Sequence, residues 1–413
     1  MMEFLYRAGI FFYSVFIKAV SPFNTKAGQF VKGRRYWRKE LASQIESNAR
    51  YIWFHCASLG EFEQGRPVIE EIRKRFPEYR ILLTFFSPSG YEIRKNYEQA
   101  DIVMYLPFDT RRNARRFIRL VHPEKAFFIK YEYWHFYMDE LKNNHIPLYM
   151  VSAIFREGQH FFKNSVWGSW YRQMLLKTEH FFVQNDESAK LLQFAGISNY
   201  TVSGDTRFDR VAAIASGAKE IPVVEKFKDY QSLLIAGSTW KPDEELLAAF
   251  INKCDGFKVI FAPHEVTGAN LNRLEKLLIK PCIRFSDAKE NDIQSFQVLI
   301  IDSVGLLSSL YRYGTFAYVG GGFGVGIHNI LEASTFGLPV IFGPHYKKFK
   351  EAVDLETLGG AFPVQSYQQL EKVMNGFLTN PRKLSAASAV CRQYVEKNVG
   401  ATDLIIQKVF NKK

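Results

Sequence analysis

The sequence predicts an α/β protein with two doubly wound parallel-sheet domains that face each other across a cleft. Its 413 residues are 47% hydrophobic, which is enough apolar material for more than one core. Short β-branched or aromatic runs alternate with helical patterns in two successive series, an alternation typical of parallel sheets. The stretch "SGAKEIPVVEKFKDY" separates the two series and indicates a linker.

We expect the chain to divide where its pattern and composition change. The predicted segments are a membrane-anchoring region (1–35), a first Rossmann-like domain (36–205), a linker (206–230), a second Rossmann-like domain (231–385) and C-terminal helices (386–413). The last helix is expected to cross back to the first domain.

The N-terminal segment begins with an aromatic, apolar pattern. The uncharged run between Arg7 and Lys18 has ten residues, about half of what a membrane-spanning helix needs. Together with the basic string "KGRRYWRK" that follows, it favours a helix lying in the cytosolic face of a bilayer. Two alternatives are an ordinary helix that covers a core and a tilted span lengthened by a snorkelling Lys18.

The remaining elements follow from local periodicity. "YIWFHCA" predicts a buried strand, "EFEQGRPVIEEIRKRF" a helix and "RILLTFF" the next strand, so residues 51–86 form one βαβ unit with parallel strands. Further strands of the first series are predicted at "DIVMYLPF", "KAFFIKYE", "PLYMVSA" and "HFFVQN". Strands of the second series are predicted at "SLLIAGS", "FKVIFAP", "FQVLIID", "TFAYVGGG" and "LPVIFG".

Charge and cysteine content narrow the classes of partner and site. The net charge of +12 favours an anionic partner, such as nucleic acid, a phospholipid surface or a phosphorylated substrate. The four cysteines are scattered without a C-x-x-C pair, which argues against a zinc site and a disulfide framework and fits a reducing compartment. RRM, KH and helix-turn-helix signatures are absent, so nucleic acid is disfavoured.

Two turns that follow predicted strands contain candidate functional residues. Glu61 follows "HCASLG" at a helix start, where a carboxylate is either a capping acid or a base that accepts a proton from a hydroxyl nucleophile. The glycine-rich stretch 318–344 predicts an anion site, with a helix beginning near His328 and Asn329. Glu332, one turn inside that helix, could reach ribose hydroxyls. The Rossmann and Walker glycine patterns are absent, which disfavours hydride transfer and P-loop hydrolysis.

Several further candidates are open to a structural interpretation as well. His264 in "APHE", and Ser303 and Gly305 in "IDSVGLL", follow strands of the second series. Glu132 in "KYEYW" and Arg207 in "GDTRFD" belong to the first series, and each could instead form a structural ion pair. Together the candidates indicate group transfer between a nucleotide donor and an acceptor hydroxyl beside a carboxylate base.

The strings "HCASLGEFEQGRP", "TFFSPSGYE", "KYEYW", "GDTRFD", "AGSTW", "APHE", "DSVG" and "GIHNILEAS" resemble, in order and spacing, those of the 3-deoxy-D-manno-octulosonic acid (Kdo) transferases. The resemblance implies a GT-B glycosyltransferase that moves Kdo from CMP-Kdo onto a lipid A precursor, lipid IVA, with inversion at the anomeric carbon. It places the protein in lipopolysaccharide core biosynthesis, peripheral or monotopic on the cytoplasmic face of the inner membrane. Neither a cofactor nor a metal ion is expected, because CMP carries one phosphate and the chain has no D-x-D string.

The resemblance also implies roles for individual residues. Glu61 matches the general base, and Glu132 and Arg207 fall where the family stabilises the transition state, although a lysine is usual at the second position. The family commonly has a glutamate at the position of Leu306 and a histidine at the position of Trp240. The expected CMP-binding residues are Pro263, His264, Ser303, Gly305, Leu306, Leu307, Asn329, Ile330, Leu331 and Glu332.

Basic residues provide a surface for the anionic membrane and the phosphorylated acceptor. Arg34, Arg35 and Arg38 form one part, and the run 111–119 forms another unless it is merely a solvated helix face. Two alternatives to the transferase remain. A heptosyltransferase or a sugar-nucleotide epimerase would share the domain layout, and a basic membrane-attached nucleotide- or RNA-binding protein would explain the charge without catalysis.

Overall fold

The computed structural model describes residues 1–411 and forms two compact units. Unit 1 contains Met1–Arg210 and the C-terminal segment from Gly400, and unit 2 contains Val211–Val399. Each unit is built on a seven-stranded sheet whose neighbouring strands are all parallel. The prediction of two parallel-sheet α/β domains is therefore confirmed.

The sheet of unit 1 has the strand order β3-β2-β1-β4-β5-β6-β7. Its strands are β1 (Arg50–Cys56), β2 (Tyr79–Phe85), β3 (Ile102–Tyr105), β4 (Lys125–Ile129), β5 (Leu148–Ala153), β6 (His180–Val183) and β7 (Tyr200–Val202). Its helices are α1 (Met2–Val20), α2 (Thr25–Lys32), α3 (Trp37–Gln44), α4 (Leu59–Arg75), α5 (Pro88–Arg94), α6 (Arg111–Val121), α7 (His135–Asn143), α8 (Val166–Leu175) and α9 (Asp186–Phe194). The next helix, α10 (Arg207–Ser216), contains the boundary between the units.

The sheet of unit 2 has the order β10-β11-β9-β8-β12-β13-β14. Its strands are β8 (Ser232–Thr239), β9 (Phe257–Pro263), β10 (Cys282–Arg284), β11 (Val298–Ile300), β12 (Phe316–Val319), β13 (Val340–Phe342) and β14 (Ala361–Pro363). Its helices are α11 (Pro222–Lys228), α12 (Lys241–Ile251), α13 (Gly268–Leu277), α14 (Leu307–Leu310), α15 (Leu331–Ser334), α16 (Lys350–Leu358), α17 (Tyr367–Thr379) and α18 (Pro381–Asn398). The last helix, α19 (Ala401–Phe410), belongs to unit 1.

The βαβ unit predicted for residues 51–86 is present as β1, α4 and β2, with β1 and β2 parallel in the register Arg50↔Tyr79 to Cys56↔Phe85. All residues of β1 after Arg50 are buried, because helices cover both faces of a parallel sheet. The alternation of apolar strands and amphipathic helices is thus sufficient to predict this part of the fold.

Two local predictions need correction. The helix expected to begin near His328 and Asn329 begins at Leu331, because the Asn329 side chain accepts the Leu331 amide at 3.1 Å and turns the chain first. Glu332 consequently lies in the first turn of α15. Within the segment predicted as a linker, α11 is a helix that buries Val224 and Phe227 in the core of unit 2.

The N-terminal helix α1 is packed on unit 1 along one side and exposed along the other. Tyr6 donates a hydrogen bond to the buried Asp109 at 2.5 Å and contacts the ring of His135. The exposed side includes Phe4, Phe12 and Phe16. Within residues 1–411, no helix has both the length and the apolar character required to cross a membrane.

Candidate functional site

The candidate residues of unit 1 lie where strands of its sheet reach their carboxyl ends. Glu61 lies in the first turn of α4, directly after β1, and is half-buried. Its carboxylate accepts a hydrogen bond from the hydroxyl of Ser58, the residue that precedes the helix. Among residues 1–411, Glu61 has no ion-pair partner and its second carboxylate oxygen accepts no hydrogen bond. The carboxylate is therefore held in place yet free to accept a proton.

Glu132, in the loop between β4 and α7, lies beside an indole and an imidazole. Its carboxylate accepts the indole N–H of Trp134 at 2.7 Å, and the same oxygen lies 3.3 Å from Nε2 of His55. The side chain of Glu132 is 11% exposed, and that of His55 is fully buried. This cluster joins the end of β1 to the loop after β4.

The buried ring of His55 has a hydrogen-bond partner at each nitrogen. Its Nδ1 lies 2.9 Å from the Thr84 hydroxyl, which also accepts the indole N–H of Trp53 at 2.8 Å. Its Nε2 lies 3.0 Å from the indole nitrogen of Trp134 and 3.3 Å from the Glu132 carboxylate. Thr84 and Trp134 thereby fix the orientation of the ring beside Glu132.

The buried thiol of Cys56 lies near both candidate carboxylates. Burial raises the pKa of Cys56 well above its usual value, and the negative charges of Glu61, Glu132 and Glu63 raise it further. Both candidate carboxylates thus lie close to the last residue of β1. The thiol stays protonated at neutral pH, which excludes Cys56 as a nucleophile.

Arg207, the first residue of α10, forms an ion pair with Asp205. Its Nε lies 2.9 Å from Asp205 Oδ2, and its backbone amide donates to Oδ1 at 3.0 Å. Asp205 also accepts the side-chain amide of the buried Gln64 at 3.0 Å, one turn after Glu61 in α4. Arg207 is thereby anchored to the helix that carries Glu61, with its side chain 29% exposed.

The glycine-rich loop of unit 2 is fixed by a buried carboxylate. Asp243, in the first turn of α12, accepts the Gly321 amide at 3.0 Å, the Tyr318 hydroxyl at 2.7 Å and the Trp240 amide at 2.9 Å. Gly321 has φ +90°, a conformation that favours glycine. A Cβ on Gly322 would lie 2.6 Å from the backbone of the neighbouring β13 turn. Part of the glycine pattern therefore serves close packing.

Three rings form a stack beside this loop. The indole N–H of Trp240 donates to Nε2 of His328 at 3.0 Å, and the His264 ring lies across both, 4.5 Å from each centroid. Since Nε2 of His328 accepts, its proton lies on Nδ1. Desolvation, followed by the neighbouring His264, lowers the pKa of His328. A lowered pKa favours the neutral form of the His328 imidazole.

The other predicted CMP-binding residues follow the ends of β9, β11 and β12, which share one edge of the unit 2 sheet. Pro263 ends β9, and His264 continues it. Ser303 and Gly305 are exposed, and Asn329 donates to Glu332 at 3.2 Å. Leu306 precedes α14 and Leu307 begins it, whereas Ile330 and Leu331 are buried at the start of α15. The structure thus brings all the predicted residues of unit 2 to one sheet edge.

Sequence reasoning missed four residues that organise these sites: His55, Trp134, Asp243 and Asp205. The strand "YIWFHCA" contains a histidine among apolar residues, and a buried polar residue of this kind must have a partner. "TWKPDEE" contains Pro242 and Asp243 at positions typical of a helix start. Neither signal identifies the distant partner.

Comparison with known proteins shows which family the chain is similar to. The model described as 3-Deoxy-D-manno-octulosonic-acid transferase (kdotransferase) matches residues 33–210. The 3-deoxy-D-manno-octulosonic acid transferase of Aquifex aeolicus (strain VF5) is 27% identical over 86% of this chain and 93% of its own length. That of Rickettsia bellii (strain RML369-C) is 25% identical over 90% of each chain.

Solved structures support the fold independently. The UDP-GlcNAc 2-epimerase from Neisseria meningitidis has a TM-score of 0.60 at 16% identity, covering 88% of this chain and 100% of that one. MurG from Acinetobacter baumannii has a TM-score of 0.56 at 11% identity, covering 88% and 99%. At these identities the likeness concerns the GT-B-like fold alone. The matches in sequence extend over most of the chain's length, and they show that the chain is similar to the Kdo transferases, a family of glycosyltransferases.

Proposed function

We propose that this protein transfers Kdo from CMP-Kdo to a lipid A precursor, lipid IVA, with inversion and without a metal ion, in lipopolysaccharide core synthesis. The observation that carries the proposal is the state of Glu61. In a chain similar to this family, a half-buried carboxylate that has no ion-pair partner among residues 1–411 stands at the end of a strand, where it can receive a proton. An ion pair would have lowered its basicity.

The reaction is a single displacement. The acceptor hydroxyl oxygen forms a bond to the anomeric carbon of Kdo while its proton passes to the Glu61 carboxylate. The bond from that carbon to the phosphate oxygen breaks, and CMP departs with the electron pair. One general base of this kind supplies roughly 10²–10⁴-fold in rate.

Glu132 and Arg207 support the transition state in this proposal. Attack at the anomeric carbon develops positive charge on the sugar ring, which the carboxylate of Glu132 stabilises. Arg207 offers a cation to the carboxylate of Kdo or to the phosphate while Asp205 keeps its guanidinium oriented.

Unit 2 holds the donor. Backbone amides of the glycine-rich loop and of Gly305 to Leu307 approach the phosphate, and Glu332 accepts from the ribose hydroxyls. Ring N–H groups of His264 and His328 donate to the same anion. CMP carries a single phosphate, so these donors can stabilise its departure without a divalent ion. Full activity in EDTA is the expected result, and loss that Mg²⁺ restores would contradict the metal-free step.

The protein acts at the cytoplasmic face of the inner membrane, with α1 as an interfacial anchor. The exposed phenylalanines Phe4, Phe12 and Phe16 would enter the lipid interface, and basic residues near α1 would attract anionic headgroups. Removal of residues 1–22 should release the protein into the soluble fraction of a cell lysate. Unchanged membrane retention would assign the anchor to another segment.

The decisive experiment replaces Glu61 with glutamine. We expect E61Q to retain CMP binding, measured by calorimetry, and to lose at least about 100-fold in Kdo transfer, because the amide cannot accept the proton. The matched control is E63Q, two residues along α4, where the carboxylate pairs with Arg94 at 2.8 Å. Transfer by E61Q at the rate of E63Q would eliminate Glu61 as the base.

A further inference from the structure

A deep groove crosses the surface of unit 1 beside α1. It has a volume of about 1070 Å³ and lies between α1, the turn after α2, and the loop and helix at 108–119. Eighteen residues line it, of which nine are arginine or lysine and one, Asp109, is acidic. Because Asp109 already accepts hydrogen bonds from Tyr6 and from the first turn of α7, it offers little to a cation in the groove.

Most of the cations in the groove lack an internal counter-charge. Arg111 pairs with Glu3 at 3.0 Å and Arg115 with Glu140 at 3.5 Å. The other lining cations have no ion-pair partner within residues 1–411: Arg7, Lys18, Arg34, Arg35, Arg112, Arg116 and Arg119. Unpaired positive charges concentrated in a concave surface favour an anionic ligand.

Arg34 is the most constrained of these cations. Its side chain is buried, with the residue 7% exposed, and its guanidinium donates to the carbonyls of Phe30, Leu106 and Phe86. Burial lowers its pKa to about 9. Carbonyl dipoles satisfy its hydrogen bonds but leave a full positive charge uncompensated at the wall of the groove.

Helix α6 presents a cationic stripe. Arg112, Arg116 and Arg119 are spaced by four and three residues and so share one face, opposite the buried Phe117. Desolvation lowers the pKa of Arg116, and the adjacent positive charges of Arg112 and Arg38 lower it further. Like charges at this spacing destabilise a helix, so a bound anion would relieve the repulsion.

The groove also has an apolar wall. Ile10 and Phe11 of α1, Val31 of α2, and Phe108 and Phe136 line it. A sugar phosphate alone would leave this wall in water, whereas an acyl chain would cover it. The combination matches an amphiphile with an anionic head.

Aromatic contacts connect the groove to the candidate catalytic residues. Tyr13 of α1 stacks on Phe86 with ring centroids 6.2 Å apart, and Phe86 contacts Trp134 at 4.6 Å. Trp134 donates to Glu132 at 2.7 Å. Two aromatic side chains, Phe86 and Trp134, therefore connect Tyr13 of α1 with Glu132.

We infer that the groove binds the acceptor itself, a phosphorylated and acylated sugar, with a phosphomonoester on the Arg112–Arg116–Arg119 stripe and an acyl chain along Ile10, Phe11 and Val31. This inference rests on the proposed transferase function and adds the place and the chemistry of acceptor recognition. In this inference, the unpaired arginines select the acceptor substrate.

The test measures acceptor recognition in the double variant R112Q/R116Q. The matched control K372Q/R382Q removes two exposed charges from unit 2, so both proteins change by the same net charge. We expect the KM for tetraacylated disaccharide bisphosphate in detergent micelles to rise at least about tenfold in R112Q/R116Q, with the KM for CMP-Kdo within twofold of the control. Equal acceptor KM values in both variants would overturn the inference.

A second arm uses the acceptor lacking one phosphate. If the stripe binds a phosphomonoester, one of the two monophosphorylated acceptors should lose affinity for the control protein and be insensitive to R112Q/R116Q. If both monophosphorylated acceptors respond to the double substitution as the bisphosphate does, the phosphate assignment is wrong.

Direct binding separates this inference from the proposed function. Titration of the protein with the acceptor, without donor, gives affinity independently of turnover. Acceptor binding that R112Q/R116Q weakens tenfold supports the groove even in a protein that transfers no Kdo. Normal transfer with unchanged acceptor affinity would refute the groove and leave the function intact. Weaker binding to phosphatidylglycerol vesicles with unchanged acceptor affinity would make the groove a membrane contact and also overturn the inference.

Discussion

Replacing Tyr6 with phenylalanine should loosen α1 from unit 1. The Tyr6 hydroxyl is the polar link between this helix and Asp109, at 2.5 Å. Asp109 also accepts the amides of Phe136 and Tyr137 at 3.1 Å, so it fixes α1 and the start of α7 at one point. Phenylalanine keeps the ring contacts with His135 and Trp170 and removes the hydrogen bond alone.

The magnitude follows from the burial of the acceptor. Asp109 is 1% exposed, and a hydrogen bond to a charged group contributes about 1.5–3 kcal/mol. With about 1.4 kcal/mol for each factor of ten, a loss of about 2 kcal/mol increases the population of detached α1 roughly 30-fold. The stability of the remaining parts of the sheets should change little, because the lost bond lies outside them.

The effect should depend on pH in a defined direction. Desolvation raises the pKa of Asp109 to about 6, while the Tyr6 hydroxyl and two amides lower it. The Tyr6 bond thus favours the ionised carboxylate. Its contribution is complete above the pKa that Asp109 has in Y6F, which is higher than about 6, and is lost as the pH falls through about 6 and Asp109 takes up a proton. The difference between wild type and Y6F should therefore be larger at pH 8 than at pH 5.

Native-state hydrogen exchange of the α1 amides measures this opening, with variants compared at equal pH. The matched control is Y13F, because the Tyr13 hydroxyl on the same helix has no hydrogen-bond partner among residues 1–411. Exchange in Y6F no faster than in Y13F at pH 8, or a difference that grows on acidification, would refute the reasoning.

Three further predictions concern the candidate sites. Thr84→Val removes the hydroxyl that hydrogen-bonds the buried Nδ1 of His55, and we expect unit 1 to lose about 1–3 kcal/mol in denaturant unfolding. Trp240→Phe removes the N–H donated to His328, so the pKa of His328 should rise, as measured by NMR titration of its ring protons. Gly322→Ala forces a Cβ to within 2.6 Å of backbone, and we expect weaker CMP binding and a lower melting temperature.

Each of these predictions has a conservative control. Thr84→Ser keeps the hydroxyl and should be close to wild type; equal loss in both variants would make packing, and not the hydrogen bond, the cause. Gly324→Ala places its Cβ 3.5 Å from the nearest atom, an ordinary contact. If it weakens CMP binding as much as Gly322→Ala does, crowding is not responsible. A His328 pKa that is unchanged or lowered in Trp240→Phe would contradict the assigned tautomer.

Much of the fold is predictable because its signals are local. The strand, turn and helix around Glu61 are each predicted by the pattern of adjacent residues. The parallel order of β1 and β2 follows because α4 is long enough to connect parallel strands. The strands β7, β10 and β14 were not predicted. Each has only three residues, so its own sequence carries little signal, and it is recognised as a strand by its pairing with a neighbouring strand.

The missed site residues share a different cause. Trp134 bonds His55 across 79 positions, and Asp243 bonds Gly321 across 78. A local sequence pattern shows that a residue is polar or aromatic. It does not identify a hydrogen-bond partner that lies so far away along the chain. The candidate residues that follow strands can therefore be predicted from the sequence. The residues that orient them can be identified only once the fold is known.

The distribution of unpaired charges connects the two proposals. Glu61 is held by the hydroxyl of Ser58, a neutral donor that orients the carboxylate and leaves its charge to act on a substrate. Arg112 and Arg116 have no carboxylate partner in the described chain. Internal ion pairs would stabilise the folded protein at both places, but they would neutralise the proposed base and the proposed anion site alike. Under the two proposals, the unpaired carboxylate of Glu61 receives the proton of the acceptor hydroxyl, and the unpaired arginines bind the acceptor phosphate.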